Sequence, residues 1–442
     1  MVKRLHALMN GVEVGMLEKT RGGGMAFTYD GGWMKNPLRR PISLSMPLSA
    51  GTYTGHEVYN YFDNLLPDNP IVRERVMAKF AVPVDHPFDI LVAIGHDCVG
   101  ALQLVSETAE YKPEIQATPL TEQEVASQLR RYRESPMGME EDDDFRISLA
   151  GVQEKTALLY QNGNWFKPQA ATATTHILKL PVGIIQNAFG NIDLTGSCDN
   201  EWTCLEVIRH FGIPTTRAWV QDFEDQRVLV VERFDRRWTS KQDWVLRLPQ
   251  EDFCQALNLP SSKKYQIDHG PGMLDCLRLL QNSSRTYEDR VNFIKTQVLF
   301  LLLSAPDGHA KNFSVHLQAG DNFSLTPVYD VLSTYPIDNK QLKHRAKLAM
   351  GWMRTTKGYR YKIQDIQLRH ILFTAKKLGL LDEIEAFIGQ IESRTKQAVA
   401  VTASVAVAHK IDMQIAQPIL DQTYSKAKSL QQTFENFPYK TN

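Results

Sequence analysis

The sequence predicts an α+β fold built from several packed units, and three observations lead to that prediction. With 442 residues the chain is long for a single hydrophobic core. Short apolar runs separated by turn signals dominate its first part, and long helical patterns dominate from Gln250 onward. We therefore expect four segments: an α+β module at 1–105, a connector at 106–144, a strand-rich region at 145–249 and a mostly helical region at 250–442.

The N-terminal module is predicted to begin as a small meander of strands, because turn signals interrupt its first fifty residues. Helical spacing of apolar residues starts at Gly55, and Pro70 opens a second helix. The module closes near Leu104, and the connector carries an amphipathic helix from about Thr121 to Arg133. The turn signals are Asn10-Gly11, Gly22-Gly23-Gly24 and Gly31-Gly32.

The middle region shows the strand pattern of a kinase-like small lobe. Five antiparallel strands with one helix, around Asn200 to Phe211, would form such a lobe. The clearest strand-like segments are Lys155 to Tyr160, His176 to Leu180, Ala218 to Asp222 and Val228 to Arg233.

The C-terminal region is predicted to be mostly helical, with an apolar helix from Arg290 to Ser304. Strands there are expected only in one hairpin, Phe313 to His316 with Phe323 to Thr326. The loop His269 to Gly272 would be either a lid or a connector between helices. With the middle region, this pattern predicts a protein-kinase-like two-lobed fold that carries an added N-terminal β-rich module.

Composition is ordinary for a soluble protein, with 43% hydrophobic and 23% charged residues and a mean hydropathy of −0.31. Met1 to Thr20 lacks the continuous apolar core of a signal peptide, and the longest apolar run, Val298 to Leu303, is too short to cross a bilayer. We therefore expect a cytoplasmic protein. The five cysteines show no zinc-binding spacing, so they are expected to be small buried thiols.

Positive charge is concentrated between Asp338 and Leu380, although the net charge of the chain is zero. Such an asymmetry suggests a polyanionic partner, and a solvated basic face explains it equally well. Eleven basic residues face only Asp338 and Asp365 in this stretch: Lys340, Lys343, Arg345, Lys347, Arg354, Lys357, Arg360, Lys362, Arg369, Lys376 and Lys377.

The sequence Asp-Gly-His-Ala-Lys-Asn at Asp307 to Asn312, followed by Asp330, has the order that a phosphoryl-transfer site needs. Asp307 would accept or orient a hydroxyl proton, while Asn312 and Asp330 would supply oxygen ligands to Mg²⁺. Lys311 could reach the γ-phosphate of ATP. Taken alone the motif is weak, because Asp-Gly is a common turn and this spacing also arises by chance.

Lys179 lies between leucines in a predicted strand, where its ammonium must either face solvent or meet an anion. A lysine that pairs with phosphate on a small-lobe strand fits that need, with Glu201 or Glu206 as its ion-pair partner. An exposed strand lysine is the simpler alternative for Lys179 alone, and the downstream Asp307 motif favours the phosphate role.

Two further segments could contact a nucleotide. In the loop Ser148 to Thr156, small residues at Ala150 and Gly151 would let main-chain amides approach phosphates, although a plain strand-entry loop is the alternative. At Val231 to Arg237 an apolar strand becomes polar, so a hinge there could present main-chain groups of Glu232 and Phe234 to an adenine ring. A strand end with ion-paired arginines is the alternative for this second segment.

Taken together, these segments resemble the HipA family of serine/threonine kinase toxins from bacterial toxin–antitoxin pairs. The resemblance covers nearly the whole chain and rests on several strings: Phe62 to Asp68, Arg146 to Ser148, Ala150-Gly151, Gln153 to Thr156, Val231 to Arg237, Leu248 to Asp252, Asp307 to Asn312 and Lys347 to Gly351.

The resemblance implies a role for each matching residue. Asp307 would be the catalytic aspartate, Asn312 and Asp330 the magnesium ligands, and Ser148 the serine that such kinases autophosphorylate. The residues implied to contact ATP are Ala150, Gly151, Val152, Gln153, Glu154, Lys155, Lys179, Glu232, Arg233, Phe234, His309, Ala310, Lys311 and Asn312.

Autophosphorylation at Ser148 would inactivate the enzyme, according to the resemblance. A phosphate with a charge near −2 would be added four residues after the acidic block Glu140 to Asp144. Because like charges repel, the loop in its ATP-ready form would be destabilised.

The resemblance also implies partners. The protein substrate would be glutamyl-tRNA synthetase, whose phosphorylation stalls translation and produces drug-tolerant, dormant cells. A HipB-like helix-turn-helix antitoxin dimer would hold the toxin on operator DNA as a corepressor, with Lys376 and Lys377 contacting the DNA backbone. The sequence departs from the family at Pro306, where members carry Thr, and at Gly379, where a second basic residue is expected.

Two other classes of function compete with an active protein kinase. The first is a DNA-bound corepressor with weak or absent kinase activity, which the presence of Asp307, Asn312, Asp330 and Lys179 disfavours. The second is a small-molecule phosphotransferase, which Ser148 and the N-terminal module disfavour.

Overall fold

The computed structural model describes residues 3–107, 113–134, 155–187, 190–355 and 357–437. The chain divides into two compact units, and each contains both helices and strands. Unit 1 comprises Met1–Leu180, Gln221–Lys264 and Ser314–Thr326, and unit 2 comprises Pro181–Val220, Tyr265–Phe313 and Pro327–Asn442.

The N-terminal part of unit 1 is a five-stranded antiparallel sheet packed against helices, as the turn signals predict. Its first strand pairs with its last, so the chain closes on itself within about a hundred residues. The strands, in sheet order, are Thr52–Tyr53, Met25–Tyr29, Val12–Lys19, Arg4–Met9 and Leu102–Val105, and the helices are His56–Asp63, Pro70–Lys79 and Pro87–Ile94.

A six-stranded sheet forms the second part of unit 1, and the predicted strands of the middle region all belong to it. Strand His176–Lys179 lies at its centre, between Gln226–Glu232 and Lys155–Gln161, and is antiparallel to both. The strands, in sheet order, are Ala218–Phe223, Gln226–Glu232, His176–Lys179, Lys155–Gln161, Asn164–Pro168 and Ala117–Leu120, and the connector helix is Glu122–Glu134.

Smaller sheets complete unit 1. The predicted hairpin is present as Ser314–Leu317 with Phe323–Leu325, and Gln250–Asp252 adds a third strand to it. The remaining elements are strands Arg236–Trp238 and Val245–Arg247 and the short helix Phe253–Ala256, which Asp252 and Gln255 cap reciprocally.

Unit 2 is mostly helical, and its apolar helix Thr286–Leu303 begins four residues before the predicted start. All five cysteines of the chain are buried and free, as expected. No helix among the described residues is long and apolar enough to span a membrane. The other helices are Ser197–His210, Met273–Leu279, Lys340–Arg345, Leu368–Lys377, Leu381–Ile388, Ile391–Ala408 and Met413–Glu435, and one hairpin is Gly183–Asn187 with Gly190–Leu194.

The expectation that strands after Gln250 are limited to one hairpin is wrong. Besides Gln250–Asp252, a second hairpin pairs Lys347–Thr355 with Gly358–Lys362. Its first strand is buried from Leu348 to Met353, which hides the period-two alternation expected of a half-buried strand. The basic residues around this strand gave the segment the sequence pattern of a solvated helix.

Buried ion pairs join the N-terminal module to the second part of unit 1. Asp97 accepts hydrogen bonds from Arg236 and Arg247, and Asp235 binds Arg233 at 2.8 Å and the Gly100 amide at 2.7 Å. Burial alone would raise the pKa of both carboxyl groups, but the neighbouring guanidinium groups outweigh it and hold both values below their usual range.

The C-terminal end of the Thr286–Leu303 helix is fastened to a later segment of unit 2. The Ser333 hydroxyl donates to the Leu303 carbonyl at 2.6 Å, and the Thr334 amide donates to the Ser304 carbonyl at 3.0 Å. Asn200 then clamps Ser333 from the other side, because its side-chain amide donates to the Ser333 carbonyl and accepts from the Ser333 amide, both at 2.8 Å. These bonds satisfy helix-end carbonyls that would otherwise be unpaired.

Glu251 should make the stability of the protein depend on pH. Burial raises the pKa of this carboxyl to about 8, from an ordinary value of 4.5. Between these values only the folded state keeps the proton, so the free energy of unfolding should fall as pH rises toward 8. Glu251→Gln should flatten that slope in denaturant unfolding measured at several pH values, and the exposed-site control Glu107→Gln should not. An unchanged slope in Glu251→Gln would contradict the assignment.

Asn200→Ala should lower the free energy of unfolding by about 2–4 kcal/mol, because the amide and carbonyl of Ser333 would both lose a buried partner. Urea unfolding measures this loss. Asn436→Ala, at an exposed helix end, is the matched control and should change stability by less than about 1 kcal/mol. An equal effect of the two substitutions would show that the Asn200 clamp is not stabilising.

Candidate active site

The segment that carries Asp307 begins where the Thr286–Leu303 helix ends. Ser304 adopts the left-handed conformation, with φ of 51°, and the Ala305 amide donates to the Phe300 carbonyl at 2.9 Å. Pro306 suits this position because the helix has already ended, so its missing N–H removes no helical hydrogen bond. The Pro306 carbonyl accepts the Ala349 amide at 2.9 Å, which ties the segment to strand Lys347–Thr355.

Residues Asp307 to Asn312 form one compact turn. The Asp307 carbonyl accepts the His309 amide at 2.8 Å and the side-chain amide of Asn312 at 2.7 Å. Gly308 is required in this turn, since a Cβ at that position would lie 2.3 Å from the Phe300 ring. The Asp-Gly pair is therefore more than a generic turn signal.

The carboxylate of Asp307 is accessible, with its side chain 53% exposed. The Tyr265 hydroxyl donates to Oδ1 at 2.6 Å, and His309 Nε2 lies 4.0 Å from the same oxygen. By contrast Lys311 and Asn312 are each 6% exposed, and the Lys311 carbonyl accepts the Tyr329 hydroxyl at 3.0 Å. The turn is therefore closely packed at Lys311 and Asn312, whereas the carboxylate of Asp307 is open to solvent.

Asp330 lies on the segment that the Asn200 clamp holds. It is half-buried and left-handed, with φ of 60°, a conformation that aspartate tolerates better than most residues. Just before it, the Val328 amide donates to Pro214 at 2.8 Å and the Val328 carbonyl accepts from Thr216 at 2.9 Å. The Asp330 segment and the Asp307 turn are therefore both attached to the end of one helix.

The oxygen atoms of Asn312 and Asp330 suit a hard cation. Because the Asn312 amide nitrogen donates to Asp307, its Oδ1 is the atom left to bind a metal. Within the described ranges no group of three or more His, Cys, Asp or Glu side chains is placed to hold a metal. A cation here would take two side-chain oxygens and complete its shell with water and phosphate oxygens, which is the usual habit of Mg²⁺.

Lys179 of unit 1 is buried, with 7% exposure, so the alternative of a solvent-exposed strand lysine is wrong. Lys155 stands directly opposite it on the neighbouring strand. Residues directly opposite each other on antiparallel strands share one face of the sheet, so the two lysine side chains lie on the same face. Both lysines belong to the residues predicted to contact ATP.

The predicted hinge follows strand Gln226–Glu232. The Arg233 amide donates to the Thr175 carbonyl at 2.9 Å, and its guanidinium binds Asp235 and the Thr174 hydroxyl. The Arg233 side chain is thus held inside unit 1, where the Arg233 carbonyl also accepts the Arg236 amide at 3.2 Å, and the contact of Arg233 with ATP stays a prediction. Phe234 packs edge-on against His316 with ring centroids 5.6 Å apart.

The two proposed acidic partners of Lys179 differ in their surroundings. Glu206 binds Arg209 at 2.6 Å and lies 3.2 Å from His210. Glu201 is 1% exposed in the same helix, Ser197–His210. Glu206 thus has basic neighbours within its own helix, and the pairing of Lys179 with Glu201 or Glu206 stays a prediction.

Most of the predicted nucleotide loop, Ser148 to Thr156, lies outside the described residues, so its contact with ATP stays a prediction. Ser148, the autophosphorylation candidate, lies outside the described residues. So do five predicted ATP contacts: Ala150, Gly151, Val152, Gln153 and Glu154.

Lys376 and Lys377 are exposed in the last turn of helix Leu368–Lys377, and the Lys377 ammonium lies 5.6 Å from the centre of the Phe373 ring. His370 lies in the same helix, and burial lowers its pKa. The positive charges of Arg369, Arg360 and Arg354 lower that pKa further. Lys376 and Lys377 are accessible to solvent, and their contact with a polyanion stays a prediction.

Sequence reasoning missed three residues that shape the site: Tyr265, Asn200 and Ser333. Tyr265 immediately precedes the turn Gln266–Asp268, which the glycine-rich loop His269 to Gly272 connects to helix Met273–Leu279. The glycine-rich loop is the sequence feature that could have marked the neighbourhood of Tyr265 as part of the site. Nothing in the sequence pairs Asn200 with Ser333, which is 133 residues away.

Comparison with known proteins gives matches over most of the chain. Residues 5–105 match the HipA N-terminal domain family, and residues 147–399 match the HipA-like C-terminal domain family. "Putative kinase Y4mE" of Sinorhizobium fredii is 32% identical over 345 residues, which cover 76% of this chain and 79% of that protein. "Serine/threonine-protein kinase toxin HipA" of Shewanella oneidensis is 27% identical over 319 residues, which cover 70% of each.

A solved structure of a Shewanella oneidensis complex of HipA, HipB and operator DNA also resembles this chain. The superposition has a TM-score of 0.80 at 22% identity and covers 98% of both chains. This similarity confirms the predicted α+β, protein-kinase-like two-lobed fold with its added N-terminal module. Because the C-terminal domain family alone matches more than half of the residues, this chain belongs to the HipA family.

Proposed function

We propose that this chain is the toxin of a toxin–antitoxin pair and acts as an ATP-dependent serine/threonine protein kinase. The observation that carries the proposal is the Asp307 turn, in which one hydrogen bond from the Asn312 side chain to the Asp307 main-chain carbonyl holds the amide of Asn312 beside the residue that bears the accessible carboxylate. Two relatives named as kinases, which this chain matches over two thirds or more of their length, support the same activity.

Each site residue has a definite task in this proposal. Asp307 accepts a hydrogen bond from the attacking hydroxyl and orients it toward phosphorus. The Lys179 ammonium is attracted to negative charge on the nucleotide phosphates, and the buried setting of this lysine strengthens that attraction. Main-chain groups of Glu232 and Phe234 contact the adenine. Bound Mg²⁺, held by Asn312 and Asp330, would neutralise charge on the phosphate oxygens.

The remaining details of the proposal rest on the family resemblance. The protein substrate is glutamyl-tRNA synthetase, and its phosphorylation stops translation and arrests growth. Ser148 is phosphorylated by the enzyme itself, which ends the activity. A HipB-like antitoxin dimer binds the toxin, and the complex represses its own operon. The solved complex of the Shewanella relative with HipB and operator DNA supports this last point.

A corepressor with weak or absent kinase activity is the alternative. The exposed lysines at the end of helix Leu368–Lys377 would serve that function without any chemistry. The accessible Asp307 carboxylate and the buried Lys179 favour the kinase, because a purely DNA-bound protein needs neither arrangement.

Wild-type protein incubated with Mg²⁺ and radiolabelled ATP should become labelled on Ser148 and should label glutamyl-tRNA synthetase. Asp307→Asn should reduce both rates by about 10²–10⁴-fold, since a positioned general base contributes that much. Asp330→Asn should raise the Mg²⁺ concentration that gives half-maximal rate. The intact mass of wild type and of a Ser148→Ala variant locates the added phosphate.

The matched control is Asp338→Asn, which removes an exposed carboxylate from unit 2 and should leave the rate unchanged. Absence of label from wild-type protein that retains Asp307 would favour the corepressor. Phosphate transfer to small molecules alone would overturn the protein-kinase assignment.

Reversing the charge of Lys376 and Lys377 together should weaken binding of the toxin–antitoxin complex to a duplex from its own promoter by about tenfold or more, and each lost phosphate contact should reduce the salt dependence by about one unit of slope. Lys428→Glu, another exposed helix lysine, is the control. Equal affinity and equal salt slope in the Lys376/Lys377 variant would exclude these residues from the DNA contact.

A further inference from the structure

Tyr265 makes a short hydrogen bond to the carboxylate of Asp307. Its hydroxyl donates to Oδ1 at 2.6 Å, and its ring packs edge-on against His309 with centroids 5.0 Å apart. Both contacts reach the same turn, at its first and third residues. The tyrosine is half-buried, so the ring is supported and the hydroxyl is directed at the carboxylate.

The main chain around Tyr265 is fixed as well. The Tyr265 carbonyl accepts the Asp268 amide at 3.1 Å and the Gly270 amide at 2.9 Å, which closes a tight turn with His269 left-handed at φ of 66°. Next to it, the Gln266 side-chain oxygen accepts the Gly351 amide at 2.7 Å.

Strand Lys347–Thr355 therefore supports both partners of the Tyr265 to Asp307 hydrogen bond. It binds the Tyr265 turn through Gly351 and the Asp307 segment through Ala349, whose amide donates to Pro306. The segments that carry the hydroxyl and the carboxylate are thus both hydrogen-bonded to one strand, so their contact is built into the fold.

We propose that Tyr265 is a positioning residue that fixes the orientation of the Asp307 carboxylate for the hydroxyl group that accepts phosphate. The inference rests on the proposed function, because it takes Asp307 as the catalytic carboxylate. A hydrogen bond from a neutral hydroxyl to a carboxylate is short and strong, and it limits rotation of the acid about its side-chain bonds. With Oδ1 engaged, Oδ2 is the oxygen that meets the incoming hydroxyl.

A blocking role for Tyr265 is the opposite possibility, since its hydroxyl contacts the carboxylate as an acceptor hydroxyl would. The geometry favours positioning for two reasons. A carboxylate has about four lone-pair sites, so one donor does not exhaust it. The Asp307 side chain is 53% exposed with Tyr265 already bound, which leaves room for a second donor.

The test compares Tyr265→Phe, which removes only the hydroxyl, with wild type in Mg²⁺-ATP kinase assays on a serine-containing protein acceptor. We expect kcat to fall about tenfold while the KM for ATP and the thermal midpoint stay within error of wild type. Tyr287→Phe, at an exposed tyrosine of the same unit, is the matched control and should change neither. Gln266→Ala is a second variant that should lower kcat in the same sense, because it frees the Tyr265 turn from Gly351.

Three results would overturn the inference. An unchanged kcat in Tyr265→Phe would show that the hydroxyl does not position the carboxylate, and a faster Tyr265→Phe enzyme would show that it blocks the site. A parallel drop in kcat, ATP affinity and thermal midpoint would show a merely structural role. Failure of the proposed function shows elsewhere, in wild-type protein that labels no protein or in an Asp307→Asn variant that retains activity, so the two failures are distinguishable.

Discussion

The candidate active site depends on how the Thr286–Leu303 helix ends. The last carbonyl groups of a helix have no partner within it, and burial makes an unsatisfied carbonyl costly. Here Ser333, Thr334 and Tyr335 supply the missing donors, the last through its hydroxyl to the Leu302 carbonyl at 2.9 Å. The need to satisfy one helix end therefore fixes the segment of Asp330 beside the segment of Asp307.

A half-buried cation reinforces the same helix end. The Lys426 ammonium lies 3.4 Å from the Leu301 carbonyl and 5.4 Å from the Tyr335 ring centre. Positive charge is favourable at a helix C-terminus, where the peptide dipoles leave partial negative charge. Burial lowers the pKa of Lys426 to about 8, so this contribution weakens in mildly alkaline solution.

Much of this arrangement could be predicted from local sequence, because its determinants are local. The Asp307 turn uses residues within five positions of each other, and strand His176–Lys179 follows from a short apolar run around Lys179. The residues that were missed act over long sequence distances. Tyr265 is 42 residues from Asp307, and no propensity or spacing rule joins them. The second hairpin was missed for a different reason, since burial of a whole strand removes the alternation that identifies strands.

The buried charges of unit 1 have a consequence for how the protein can be divided. Arg236 and Arg247 are almost fully buried, and Asp97, which both of them bind, comes from the N-terminal module. A shortened protein that starts after residue 105 would leave these two guanidinium groups in an apolar setting with one counter-charge, Asp235, already shared with Arg233. Uncompensated buried charge is strongly destabilising. The module matched at 5–105 is therefore a structural part of the catalytic chain and cannot be detached from it as an independent appendage.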